Sequence, residues 1–154
     1  MNLYPDTKET YSIYSSNLTT SSGLEDPGTQ VPQFKLPLFF KCDDIIKSKD
    51  TKLIDFGVFC EYKEYSTTLR TKGTNSPLPL FTNRPFFVIP KTSIYKTGIT
   101  AAINTSVFGP SKDRIIIPLS NYTDFDIKIK KGDSLFQVVL PSLNTFGIVI
   151  VEPN

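Results

Sequence analysis

The chain has 154 residues, of which 39% are hydrophobic, 12% aromatic and 21% charged, the makeup of one ordinary globular domain. Its formal net charge is +2, from 17 basic and 15 acidic side chains, too small a surplus to hold nucleic acid or a membrane by electrostatics alone. It has no histidine, which excludes a histidine general base, a Ser-His-Asp or Cys-His relay and a His-ligated metal.

The first 33 residues are rich in Ser, Thr, Pro and acidic side chains and carry no sustained periodicity. They are expected to form a polar N-terminal tail. The sharper alternative is an arm that docks Tyr4, Tyr11 and Tyr14 on a neighbouring subunit or partner. Residues 34–154 then carry the signals of one β domain. Asp43–Ser48 and Thr92–Lys96 are the two segments with the makeup of short helices. Lys52–Tyr62 reads as a strand, with Leu53, Ile54, Phe56, Val58, Phe59 and Tyr62. Residues 63–85 follow as a long polar loop, a kind of insertion that is usually functional or disordered.

Phe86-Phe87-Val88-Ile89 is a strand closed by Pro90. Arg114–Leu119, through Ile115-Ile116-Ile117, reads as a strand buried on both faces. Phe125, Ile127 and Ile129 alternate with Asp126, Lys128 and Lys130, the clearest period of two in the chain. Lys131-Gly132-Asp133 supplies a turn, and Leu135–Leu140 is expected to return as the other half of a hairpin. Phe146–Val151 is a last apolar strand before Glu152-Pro153. Short strands punctuated by twelve Pro and eight Gly predict an all-β sandwich or barrel.

Cys42 and Cys60 are too few for a zinc site and read as two buried, reduced thiols, with a disulfide as the alternative. Sequons at Asn17, Asn104 and Asn121 read as chance, because no apolar N-terminal run marks secretion. The expected location is therefore soluble and intracellular, or within a virion.

Four landmarks fall in register without a gap across the 51 positions of Pro90–Leu140. They are Pro90-Lys91-Thr92-Ser93-Ile94, Gly98-Ile99, Leu119-Ser120-Asn121 and Gly132-Asp133-Ser134-Leu135-Phe136-Gln137. Together they resemble the trimeric dUTPases, which hydrolyse dUTP to dUMP and pyrophosphate. The resemblance implies a distorted jelly-roll β-barrel or sandwich assembled as a homotrimer that exchanges C-terminal segments, for which Phe146–Val151 is suited. It makes Pro90–Ile94 a second motif with Lys91 where the family has Arg, and Gly132–Gln137 a fourth motif. Lys91, Ser93 and Gln137 become the residual candidates for binding nucleotide or phosphate. A plainer account has Pro90 fixing the backbone, Thr92 or Ser93 capping a helical turn, and Gly132 permitting a hairpin.

The same register empties the site of its chemistry. The family's water-activating Asp falls at Phe108, and the Tyr that packs under the deoxyribose falls at Ser111. Phe has no proton acceptor, so the base is missing. Moving Asp113 into that role takes a five-residue slip that breaks the Leu119–Asn121 match. The first-motif Asp falls at Pro37, and no counterpart of the Gly-rich fifth motif occurs up to Asn154.

The expectation is a non-catalytic trimer with a structural or protein-binding role and no cofactor. Its Lys-over-Arg bias and many Asn and Ile suit an AT-rich viral origin. The polar segments 1–33 and 63–85 would face viral or host partners. The alternatives are an active, Mg²⁺-dependent dUTPase with Asp113, Asp124 or Asp133 as a recruited base, and a nucleotide binder without turnover. Deamination of dCTP is disfavoured, because no Glu lies between Glu64 and Glu152.

Overall fold

The computed structural model describes residues 1–22, 35–66, 80–102 and 106–153. Alternation builds its central strand pair. In β4 (Thr51–Ser66) the side chains of Ile54, Phe56, Val58 and Cys60 point inward and are buried. In β9 (Asp113–Asn121) Ile115, Ile117 and Leu119 do the same. The two strands run antiparallel from Thr51 opposite Ser120 to Cys60 opposite Asp113. Their register shifts between Asp55 and Phe59, around Gly57 at φ +69°.

Three further strands extend this pair. β1 (Asn2–Pro5) lies antiparallel to β4, β12 (Val149–Ile150) parallel to β1, and β7 (Ile99–Ala101) antiparallel to β9. The far end of β4 pairs with β5 (Leu80–Arg84), from Tyr62 opposite Arg84 to Ser66 opposite Leu80. A second sheet has the order β2 (Leu36–Leu38), β11 (Phe136–Val139), β6 (Phe86–Pro90), β8 (Ser106–Phe108). A separate pair joins β3 (Asp44–Ile46) to β10 (Ile127–Ile129). Phe56 meets Phe136 edge-on at 6.0 Å and stacks with Phe40 at 5.3 Å, so the two larger sheets share one core.

The result is predominantly β and sandwich-like, and none of the three sheets closes into a barrel. The all-β expectation needs one amendment, helix α1 (Lys8–Ser22). Thr7 starts it: its hydroxyl accepts from Thr10 N at 3.1 Å, and its carbonyl from Tyr11 N at 2.9 Å. Thr10, Ile13 and Tyr14 form its buried face, and Leu18 packs against the core. The Tyr14 hydroxyl accepts from Phe39 N at 3.0 Å and donates to Phe39 O at 3.5 Å.

Residues 1–22 are therefore an integral strand and helix, where a tail was expected; Leu3 and Tyr14 are fully buried within this chain. Asp44–Ile46 is a strand because Ile46 is needed in the core, whereas Thr92–Lys96 is helical, a 3-10 turn burying Ile94. Ile127–Ile129 pairs with β3 and not with Phe136–Val139, whose neighbours are β2 and β6. The expected hairpin thus opens into two different sheets. Ile116 is exposed on the outer face of β9, so that strand is buried on one side only. Val149–Ile150 pairs with its own chain's β1, which supplies the cover expected from exchange between subunits. The two ends of the long loop are the strands of the β4–β5 hairpin, and residues 67–79 lie outside the described residues. Both cysteines are free, but Cys42 is exposed and only Cys60 is buried.

Candidate functional site

The strand register brings two of the four landmarks together, Pro90–Ile94 and Gly132–Gln137. On β11, Gln137 lies opposite Ile89 of β6 on one side and Pro37 of β2 on the other. Phe136 lies opposite Pro90, where β6 ends because proline offers no N–H for the ladder. Just beyond, Lys91 N donates to Leu135 O at 2.8 Å, and Lys91 Nζ donates to Ser134 Oγ at 2.7 Å. The Pro90–Ile94 and Gly132–Gln137 segments are thus in direct contact.

Burial pushes the Lys91 ammonium below its ordinary value, and its partner is a hydroxyl rather than a carboxylate. The turn that carries Ser134 is held by Gly132, at φ +82°. Gly132 N donates to Phe40 O at 2.8 Å, and Phe40 N to Asp133 O at 2.9 Å. Ser93 is exposed on the 3-10 turn, apart from the Lys91–Ser134 contact. Lys91 occupies the N-cap position with no side-chain cap, so neither Thr92 nor Ser93 caps this turn. Asn121 is buried and fully engaged: Nδ2 donates to Ile46 O and Phe125 O, and Oδ1 accepts from the Thr123 amide and hydroxyl. Its role is to close the β9–β10 loop.

The expected catalytic positions hold no acid. Phe108 ends β8 and stacks on Phe86 with ring centroids 5.4 Å apart. Ser111 is exposed in the following turn. Asp113 Oδ2 accepts from Gly109 N at 2.8 Å and so braces that turn. Asp124 is largely exposed and pairs with Lys49 at 3.0 Å. Asp133 is exposed, its backbone tied to Phe40 and Lys130. Among the described residues no group of three or more His, Cys, Asp or Glu is arranged to hold a metal.

Two clusters escaped the sequence reading. In the first, Arg114 Nη2 bridges Asp55 Oδ2 at 2.7 Å and Asp6 Oδ2 at 2.9 Å, while Lys41 Nζ contacts the same two oxygens at 2.7 and 3.4 Å. Burial pushes the Asp55 carboxyl up, but hydrogen bonds from Arg114, Lys41 and Gly57 N outweigh it and hold the group well below the usual carboxylate range. In the second, Lys112 lies over the rings of Tyr4 and Phe59. Asp6 and Tyr4 fall in the stretch read as a tail, so nothing in the sequence tied them to β4 and β9. A groove of about 770 Å³ over β3 and β10 has mixed charge, including Asp44, Lys52, Lys128 and Lys130. None of the three residual binding candidates lines it.

These elements define a predominantly β, sandwich-like domain with an N-terminal strand and helix built into it. No family model and no curated protein matches the chain. Among solved structures it is similar to dUTPase from Streptococcus mutans, at 14% identity and a TM-score of 0.48, over 84% of this chain and 87% of that one.

Proposed function

We propose that this chain is a non-catalytic member of the dUTPase-like group, working as a homotrimeric structural or protein-interaction module, in the setting of a virus or virion. The motif register of Pro90–Leu140 supports the family assignment, and Lys91 and Ser134 bring the second-motif and fourth-motif segments into contact. The reading of lost catalysis rests on Phe108, which the motif register aligns with the water-activating carboxylate and whose ring stacks on Phe86. The nearest acid in sequence, Asp113, is committed to Gly109 N at 2.8 Å. The contact surface for partners is the β4–β5 hairpin, where Phe81 is exposed, and no longer the N-terminal segment, whose Ile13 and Tyr14 belong to the core.

Incubation with dUTP and Mg²⁺ is expected to release no pyrophosphate. Turnover that Asp113→Ala abolishes would instead establish the enzyme. Light scattering is expected to give three times 17.3 kDa. A monomer would remove the trimer from the proposal.

Lys91 favours a second reading, a residual anion site, since among the described residues its half-buried ammonium has only the Ser134 hydroxyl as a side-chain partner. Thermal shifts with dUTP, dUMP and dCTP test it, because stabilisation follows RT ln(1 + [L]/Kd). No shift at millimolar nucleotide rejects that reading and leaves the structural one.

A further inference from the structure

Tyr4 of β1 and Phe59 of β4 are directly opposite each other in the strand register, and Phe59 is in turn opposite Arg114 of β9. Lys112, just ahead of β9, brings its Nζ to 3.9 Å from the Tyr4 ring centroid and 5.3 Å from that of Phe59. Both distances fall within the range over which a ring face attracts a cation. The Arg114 guanidinium carbon lies 5.2 Å from the Phe59 ring centroid and is held by Asp6 and Asp55. Tyr4 is fixed from behind, its hydroxyl donating to Glu61 Oε2 at 3.2 Å. A phenol that donates to a carboxylate has a more electron-rich ring, which strengthens its pull on a cation.

Among the described residues no carboxylate holds Lys112. Glu61 is nine-tenths buried and already shared between Tyr4 and Lys63, the latter at 3.0 Å. Lys112 forms no ion pair among the described residues, and it sits on the exposed turn that carries the chain from β8 in one sheet to β9 in the other. Its ammonium can therefore leave the rings without breaking a salt bridge. We propose that the Tyr4–Phe59 ring pair is a binding site for alkylammonium cations, occupied in the resting chain by its own Lys112. The ligand class is a lysine side chain of a partner or its methylated form; a methylated ammonium, being less strongly hydrated, suits a site made of ring faces. This inference is independent of the nucleotide chemistry discussed above.

The test is NMR on the full chain. In the wild type, the Lys112 ε-methylene protons are expected upfield of those of the other lysines through ring current, and to return to the common position in Tyr4→Leu. Because Tyr4 is partly buried, Lys112→Ala provides the second arm, removing an exposed side chain that forms no salt bridge among the described residues. Its Tyr4 and Phe59 ring resonances are titrated with n-butylammonium, tetramethylammonium and the neutral tert-butanol. At least one cation is expected to bind the variant about threefold or more tighter than tert-butanol, and about threefold tighter than it binds the wild type, where Lys112 competes. The tighter cation names an unmodified or a methylated lysine as the ligand. A Lys112 signal at the common lysine position, or rings that answer tert-butanol and both cations alike or not at all, overturns the proposal.

Discussion

Phe108 lies face to face with Phe86, their ring centroids 5.4 Å apart and their planes 8° from parallel. The pair joins the edge strand β8 to the middle of its sheet, since Phe86 and Phe108 are also register partners. A ring here fastens the start of the turn that leads to β9.

Phe86 is fully buried and Phe108 half-buried, which orders the cost of removing each. Phe86→Ala is expected to lose about 3–5 kcal/mol and Phe108→Ala about 1–3 kcal/mol, read from urea denaturation midpoints. If Phe108→Ala were neutral, the ring would not be part of the core.

Most of the β domain was legible in the sequence because its signals are local. Ile54, Phe56 and Val58 alternate inward along β4 as their spacing requires, and Pro90 ends β6 as a residue without an N–H must. Pairing was less legible. The period of Ile127 and Ile129 identifies a strand but not its partner, and Ile46, in a segment that looked helical, took that place. The N-terminal segment was misread for a similar reason. Thr10, Ile13, Tyr14 and Leu18 do follow helical spacing, but Ser, Thr and Asn between them lower helix propensity and hide the stripe. What makes α1 a helix is tertiary, the burial of Tyr14 against Phe39 with their ring centroids 5.2 Å apart. Of the candidate site, the motifs singled out Lys91 but not its contact with Ser134, and the Asp6–Asp55–Arg114 cluster spans too much chain to be seen.

Tyr14→Phe tests that tertiary origin. It keeps the ring and deletes the hydroxyl that accepts from Phe39 N at 3.0 Å and donates to Phe39 O at 3.5 Å. Two buried backbone groups lose a partner, at a cost of about 1–3 kcal/mol. Calorimetry on a domain of this size should register a fall of roughly 2–10 °C in Tm. An unchanged Tm would mean that α1 is not anchored through this residue.

Acid should weaken the clamp between β1, β4 and β9. The Asp55 carboxyl is held below its unfolded value of 3.8, so the folded chain releases that proton more readily than the unfolded one. Its contribution is complete above that unfolded value and is lost as pH falls through the folded one. Stability should therefore decline on acidification below about pH 5. Asp55→Asn is expected to cost about 1–3 kcal/mol at neutral pH, through the weakened bonds from Arg114 and Lys41, and to flatten the acid limb. An acid limb parallel to that of the wild type would assign the titration to other carboxyls.

The two thiols should separate cleanly by reactivity. Cys42 is exposed in the bend after Phe40, whereas Cys60 is fully buried on the inner face of β4, and burial pushes its thiol far up. The thiolate is the reacting form, so Cys60 is protected twice, by access and by protonation. A thiol-specific disulfide reagent is expected to titrate one group rapidly in the folded chain and both in denaturant. Cys42→Ser should abolish the fast phase, while Cys60→Ser leaves it intact. Two fast thiols in the folded chain would contradict the inward register of β4, on which Ile54, Phe56 and Val58 also depend.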